Sequence, residues 1–136
     1  MGNTSMISRI SNALFGNKNT KTTDEKGKTI MKIGIILETK EYEKAWNAFR
    51  FAVTSKKLGH DVKLFLMGEA VECEGMTHEK YNVDEQMKAF EAVGGELLAC
   101  GTCLKSRQLA DSTSCPISTM VDCVNLVVWA DKTVTF

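Results

Sequence analysis

The chain has 136 residues, 43% of them hydrophobic and 25% charged, and its 17 lysines and arginines balance 17 aspartates and glutamates. That suffices for one enclosed core and excludes a second full domain. Zero net charge without a long basic stripe argues against nucleic acid as a partner.

The longest apolar run near the start, Ala13-Leu14-Phe15, is too short for a signal-peptide core or a membrane span, so neither secretion nor membrane insertion is expected. Five cysteines, an odd number, then read as free thiols in a reducing, cytoplasmic setting. Met6, Ile10, Ala13 and Leu14 recur at helical spacing, but an isolated helix of that length is marginal in water. Residues 17–29 hold no apolar side chain and cannot offset the entropy of ordering a backbone. Residues 1–30 therefore read as a flexible leader and linker, and 31–136 as one α/β domain; translation from Met31 would give that domain alone. Met6 stands where a myristoylation signal needs serine or threonine, which disfavours a lipid anchor.

Lys32 to Leu37 is short, apolar and rich in branched residues, the pattern of a strand covered on both faces. Tyr42, Ala45, Trp46, Phe49, Ala52 and Val53 follow with a 3.6 period, and Gly59 is positioned to end that helix. A second strand spans 61–67, and after Gly68 residues 69–80 read as loop or irregular helix. The Asn82 to Glu85 capping signal opens a helix burying Met87, Phe90 and Val93, closed by Gly94-Gly95. Strand three covers Glu96 to Cys100. A helix carrying Cys103 and Arg107, a helix after Pro116, a strand over 125–129 and a terminal strand over 133–136 complete the reading. Strands alternating with helices predict an α/β fold with a mainly parallel sheet between helical layers, with ligands beyond the carboxyl ends of the strands. Glu38, Gly68 and Cys100 lie at those ends, so the loop holding Glu69, Glu72, Cys73 and His78 is expected to share a rim with Cys100.

Cys100 and Cys103 form a CxxC pair where strand three gives way to a helix. A thiol exposed at the helix's positive end ionises readily, and the thiolate is the attacking form, so both cysteines are the candidate catalytic residues. Arg107, two turns beyond Cys100, shares its face and would add positive potential, although such an arginine is more often a solvated or contact residue. For Cys73 and His78 the plain loop reading outweighs a chemical one. Cys115 and Cys123 read as packing residues and His60 as structural.

The first strand, the segment Leu64-Phe65-Leu66-Met67-Gly68-Glu69-Ala70-Val71-Glu72, and above all Leu98-Ala99-Cys100-Gly101-Thr102-Cys103-Leu104-Lys105-Ser106-Arg107 resemble the DsrE/DsrF-like (TusD-like) sulfur-relay family. The resemblance runs from Met31 to the closing strand ending at Phe136. It implies a three-layer α/β/α fold with a sheet of about five strands, assembly as a homo-oligomer (trimer or hexamer), and sulfane sulfur carried as a persulfide at the position of Cys100. A protein sulfur donor and a protein acceptor are the implied partners. Cys103 departs from the TusD-like pattern: a second thiol can attack the inner sulfur of a Cys100 persulfide, releasing hydrosulfide and leaving a disulfide.

Two other classes compete. A CxxC thiol-disulfide oxidoreductase is disfavoured because no aromatic residue precedes Cys100. Zinc on Cys100, Cys103, Cys115 and Cys123 lacks the paired CxxC modules of a structural site, so no metal and no cofactor is assigned. A non-catalytic subunit of an oligomeric sulfur-metabolism complex is a further alternative, against which the carrier cysteine itself argues.

Overall fold

The computed structural model describes residues 21–136, so the helical spacing of Met6 to Leu14 lies outside the described residues. Residues 22–30, read as linker, close a small hairpin in which Thr23 bridges Thr29. Its turn is held by Asp24 Oδ1, which accepts the N–H groups of Lys26 and Lys28 at 2.9 and 2.8 Å. An aspartate satisfying its own turn replaces the missing apolar contacts.

Five parallel strands form the sheet in the order β4-β3-β2-β1-β5. They are β1 (Lys32–Leu37), β2 (Asp61–Leu66), β3 (Glu96–Cys100), β4 (Ile117–Ser118) and β5 (Lys132–Thr135). The helices are α1 (Tyr42–Lys57), α2 (Val83–Ala92), α3 (Gly101–Ser106) and α4 (Met120–Trp129), with a 3-10 turn at Gly68–Glu72. This is the three-layer α/β/α architecture.

Local signals act as the sequence suggests in the first three units. Helix α2 starts where Asn82 Oδ1 accepts the N–H of Glu85 at 3.2 Å, and α1 ends where Gly59 turns into the left-handed region at φ 92°. Wholly buried Phe49, Phe65 and Phe90 join Ile35, Leu64 and Leu66 in the core. Each such side chain contributes roughly 1.5–3 kcal/mol by leaving water. Helix α4 lies against β1 so closely that a Cβ on Gly34 would sit 2.5 Å from Leu126 Cδ2.

The last third differs from the sequence reading. Instead of a helix after Pro116 and a strand over 125–129, the chain makes the two-residue β4 and then one helix through Trp129. The valines at 124, 127 and 128 favour a strand locally. A capping box overrides them: Thr119 and Asp122 exchange side-chain and backbone hydrogen bonds at the start of α4. Only Cys123 and Leu126 of this helix are buried.

Candidate functional site

Strand β3 ends at Cys100, which is the residue preceding the first turn of α3. The predicted juncture is therefore present, but the expected exposure is not: Cys100 is only 5% exposed. The cause is β4, which pairs Cys100 with Ser118 and converts β3 from an edge into an interior strand. Gly101 permits this closeness, because a Cβ there would meet Ile117 Cγ2 at 3.0 Å and the Ser118 carbonyl oxygen at 3.2 Å. The Cys100 side chain makes no capping hydrogen bond to α3.

Cys103 is half-buried and is the more accessible thiol of the pair. Its Sγ accepts the backbone N–H of Gly68 at 3.2 Å, and the Cys100 thiol is a close enough neighbour to influence its ionisation. Burial pushes the Cys103 thiol above its ordinary pKa, and the neighbouring Cys100 thiol adds to this. The Gly68 N–H and the charge of Arg107 pull the other way. The neutral form of Cys103 is thus favoured at rest, while an amide donor and a cation await negative charge on its sulfur.

Arg107 follows α3 and is fixed from two sides. Its Nη1 donates to the Cys103 carbonyl at 3.2 Å and its Nε to Glu72 Oε2 at 3.1 Å. Lys40 Nζ reaches the other oxygen of Glu72 at 3.2 Å, and the two cations, Lys40 first, hold that carboxyl below its usual pKa. The expected rim is therefore assembled from Gly68, Glu72, Cys103 and Arg107. Glu69 accepts hydrogen bonds from the Thr39 hydroxyl and the Lys40 N–H on the same rim.

The other expected rim residues have ordinary roles. Cys73 is wholly buried, and burial, followed by the charges of Glu69 and Glu72, pushes its thiol up to about 12. The His78 ring contacts Tyr42 and Tyr81, and its Nδ1 accepts the N–H groups of Lys80 and Tyr81. His60 Nδ1 accepts the N–H of Met31 at 3.1 Å, a structural bond at the opposite end of the sheet. Cys115 and Cys123 are buried, as packing residues are; burial pushes the Cys115 thiol up to about 11. Among the described residues no group of cysteine, histidine and carboxylate side chains is arranged to hold a metal.

The family profile of the DsrE/DsrF-like proteins matches residues 31–136. The chain belongs to the DsrE/DsrF-like family. It is 33% identical over 103 residues to an uncharacterized protein of Methanopyrus kandleri, covering 69% of this chain and 83% of that one. It is 32% identical over 114 residues to an uncharacterized protein of Methanocaldococcus jannaschii, covering 78% of this chain and all of the relative. In structure it resembles a conserved protein of unknown function from Bacteroides thetaiotaomicron, with a TM-score of 0.64, 17% identity and coverage of 77% and 94% of the two chains. That likeness concerns the fold.

Within this DsrE/DsrF-like domain two features of the rim are not evident from the sequence. One is the Gly68 amide, visible only as a glycine after a strand. The other is Glu74, which accepts hydrogen bonds from the Thr113 hydroxyl, the Ser114 N–H and the Ser114 hydroxyl. Glu74 so ties the loop before β4 to the loop after β2. Between these loops lies a cleft of about 380 Å³ lined by Val71, Glu72, Glu74, Leu109, Ser112 and Thr113. It reaches the site through Glu72. No helix among the described residues is long and apolar enough to cross a membrane.

Proposed function

We propose that this protein is a sulfur-relay protein that carries sulfane sulfur as a persulfide on Cys100, with Cys103 as the resolving thiol. Membership of the DsrE/DsrF-like family supports the general role. The observation that carries the finer reading is the placement of Cys100 at the end of β3 and Cys103 in the first turn of α3, with the Gly68 N–H directed at the Cys103 sulfur.

In the loading step the Cys100 thiolate attacks the outer sulfur of a donor protein's persulfide; a new S–S bond forms, the donor's S–S bond breaks, and the donor leaves as a thiolate. The acceptor's thiolate repeats this exchange in the opposite direction. Where no acceptor arrives, the Cys103 thiolate attacks the inner sulfur of the Cys100 persulfide. Hydrosulfide leaves and a Cys100-Cys103 disulfide remains, to be reset by an external thiol. Arg107 and the Gly68 amide stabilise the anionic sulfur of Cys103 during that attack. Burial of Cys100 shields its persulfide from bulk reductants. Five free cysteines suit the reducing, cytoplasmic setting this chemistry requires.

The test is persulfide loading from a donor, read by alkylation and intact mass. Wild type gains one sulfur atom on Cys100, Cys103→Ser holds it longer, and Cys100→Ser does not hold it. Equal labelling of wild type and Cys100→Ser sinks the proposal. The same pair of thiols suits a disulfide oxidoreductase, which would instead show fast insulin reduction without any gain of sulfur.

A further inference from the structure

A sulfur donor and a sulfur acceptor both have to reach Cys100, yet the thiol is buried and the element that covers it is the two-residue β4. So short a strand at the edge of a sheet makes too few ladder bonds to fix its own position. Its hold on Cys100 is set by the chain on either side. Downstream, the Thr119 and Asp122 capping box of α4 anchors it. Upstream runs the loop from Gln108 to Cys115, which leaves α3 with Gln108 in the left-handed region at φ 57°.

The hydrogen bonds of that loop fall into two groups. The N–H groups of Leu109, Ser112 and Thr113 bond locally, to the carbonyls of Leu104 and Leu109. Among the described residues, the bonds that reach a distant part of the chain all end on the Glu74 carboxylate. Its Oε2 accepts the Thr113 hydroxyl at 2.9 Å, its Oε1 accepts the Ser114 N–H at 3.0 Å and the Ser114 hydroxyl, and the Cys115 thiol lies 3.9 Å from Oε2. None of the ion pairs among the described residues involves Glu74. The loop's own donors therefore satisfy its charge, and bonds to an ionised acceptor are the strong kind. Burial pushes the Glu74 carboxyl up, but the Ser114 and Thr113 bonds outweigh it and hold the group below its usual pKa. Glu74 is itself held from behind: Cys73 beside it is wholly buried, and the Gly75 N–H donates to Asp84 Oδ1 at 3.0 Å. The cleft lined by Glu74, Ser112 and Thr113 separates the two loops here, so hydrogen bonds bridge a gap that side chains do not fill.

We propose that Glu74 is a positioning residue for Cys100: by clasping Thr113 and Ser114, its carboxylate keeps β4 paired to β3 and sets how readily a sulfur donor or acceptor reaches the thiol. This rests on the reading of Cys100 as the sulfur carrier. Glu74 acts through the loop and not on the sulfur. Leu109 and Cys115, packed on the core, keep the loop attached when the clasp opens, so that opening is a local event.

The test is iodoacetamide labelling of the reduced full-length chain, followed cysteine by cysteine by peptide mapping. Glu74→Ala should speed the labelling of Cys100 by about tenfold or more, the effect of losing a hydrogen bond to a charged group. Glu74→Gln, which keeps one acceptor oxygen, should restore part of the protection. Hydrogen exchange of the β1 amides, two strands away from β3, should stay as in wild type. The double variant Thr113→Val, Ser114→Ala removes both hydroxyls and leaves the charge of Glu74 in place; it should also speed labelling of Cys100, and it carries the test should Glu74→Ala fail to fold. An unchanged Cys100 rate overturns the proposal. So does a faster rate matched by equally faster β1 exchange, which would mean that the whole chain unfolds. Labelling reads access to the sulfur and not its cargo, so a failure of persulfide loading and a failure of this proposal are separate results.

Discussion

Gly68 donates its backbone N–H to Cys103 Sγ across 35 positions of sequence, at 3.2 Å. The bond joins the end of β2 to the first turns of α3, and Gly68 directs it from the left-handed region at φ 58°. A side chain at this backbone conformation is strained by about 1–2 kcal/mol. Gly68→Ala should lower stability by that amount in urea titration. By turning the amide away it should also raise the pH at which Cys103 becomes reactive to iodoacetamide. A variant that alkylates with the wild-type pH profile would show that the amide does not tune the sulfur.

Arg107 should act on the same thiol through its charge. Arg107→Gln removes the cation that pulls the Cys103 pKa downward, so the alkylation midpoint of Cys103 should move to higher pH. Arg107→Lys, which keeps a charge but cannot donate to both Glu72 and the Cys103 carbonyl, should fall between the two. If the glutamine variant matches wild type, the guanidinium is only a clamp for the loop.

The middle of the CxxC is set by packing. A methyl group on Gly101 would press on Ile117 Cγ2 and, at 3.2 Å, on the rigid Ser118 carbonyl oxygen. Gly101→Ala should therefore push β4 off β3, at about 1–3 kcal/mol, and uncover Cys100. Mass-resolved alkylation should show label on Cys100 as well as Cys103 in this variant, against Cys103 first in wild type. Unchanged labelling order would mean that β4 does not guard Cys100.

This dependence on β4 also explains where the sequence was opaque. The first three strands and the first two helices follow from apolar runs, the 3.6 period, Asn82 and Gly59, because their signals are local. Ile117 and Ser118 are too few to show a period, and their pairing with Ala99 and Cys100 is a tertiary contact no local pattern encodes. The valine run of α4 misleads for a related reason. Its alternation-free aliphatic stretch suits a buried strand, whereas a two-residue capping box makes it a helix with an uncovered face. The burial of Cys100 depends on β4 and is hidden with it. The CxxC and its neighbours Glu72 and Arg107 were legible; the amide of Gly68 was not, since a backbone donor leaves no residue type behind it.

The buried cysteines give the protein a predictable alkaline limit. In the folded chain the Cys73 thiol is pushed from 9.0 up to about 12, and that of Cys115 up to about 11, in both cases first by burial. Below pH 9 these groups are protonated in both folded and unfolded chains, so the stability they contribute is fully present. Above it the unfolded chain loses their protons while the folded chain keeps them. The unfolded state then binds fewer protons, and stability falls as pH rises, by up to about 1.4 kcal/mol per pH unit for each thiol. The fall ends only once pH passes the folded values. Thermal melts under reducing conditions from pH 8 to about 10.5 should show a declining midpoint. The decline should be shallower in Cys73→Ala than in wild type, and in Cys115→Ala over the lower part of that range. Because Cys73→Ala also removes a buried sulfur, its midpoint at pH 8 is expected below wild type, and the slope, not the absolute value, decides. Parallel slopes in wild type and both variants would mean that these thiols ionise alike in folded and unfolded chains, and that burial does not hold their protons.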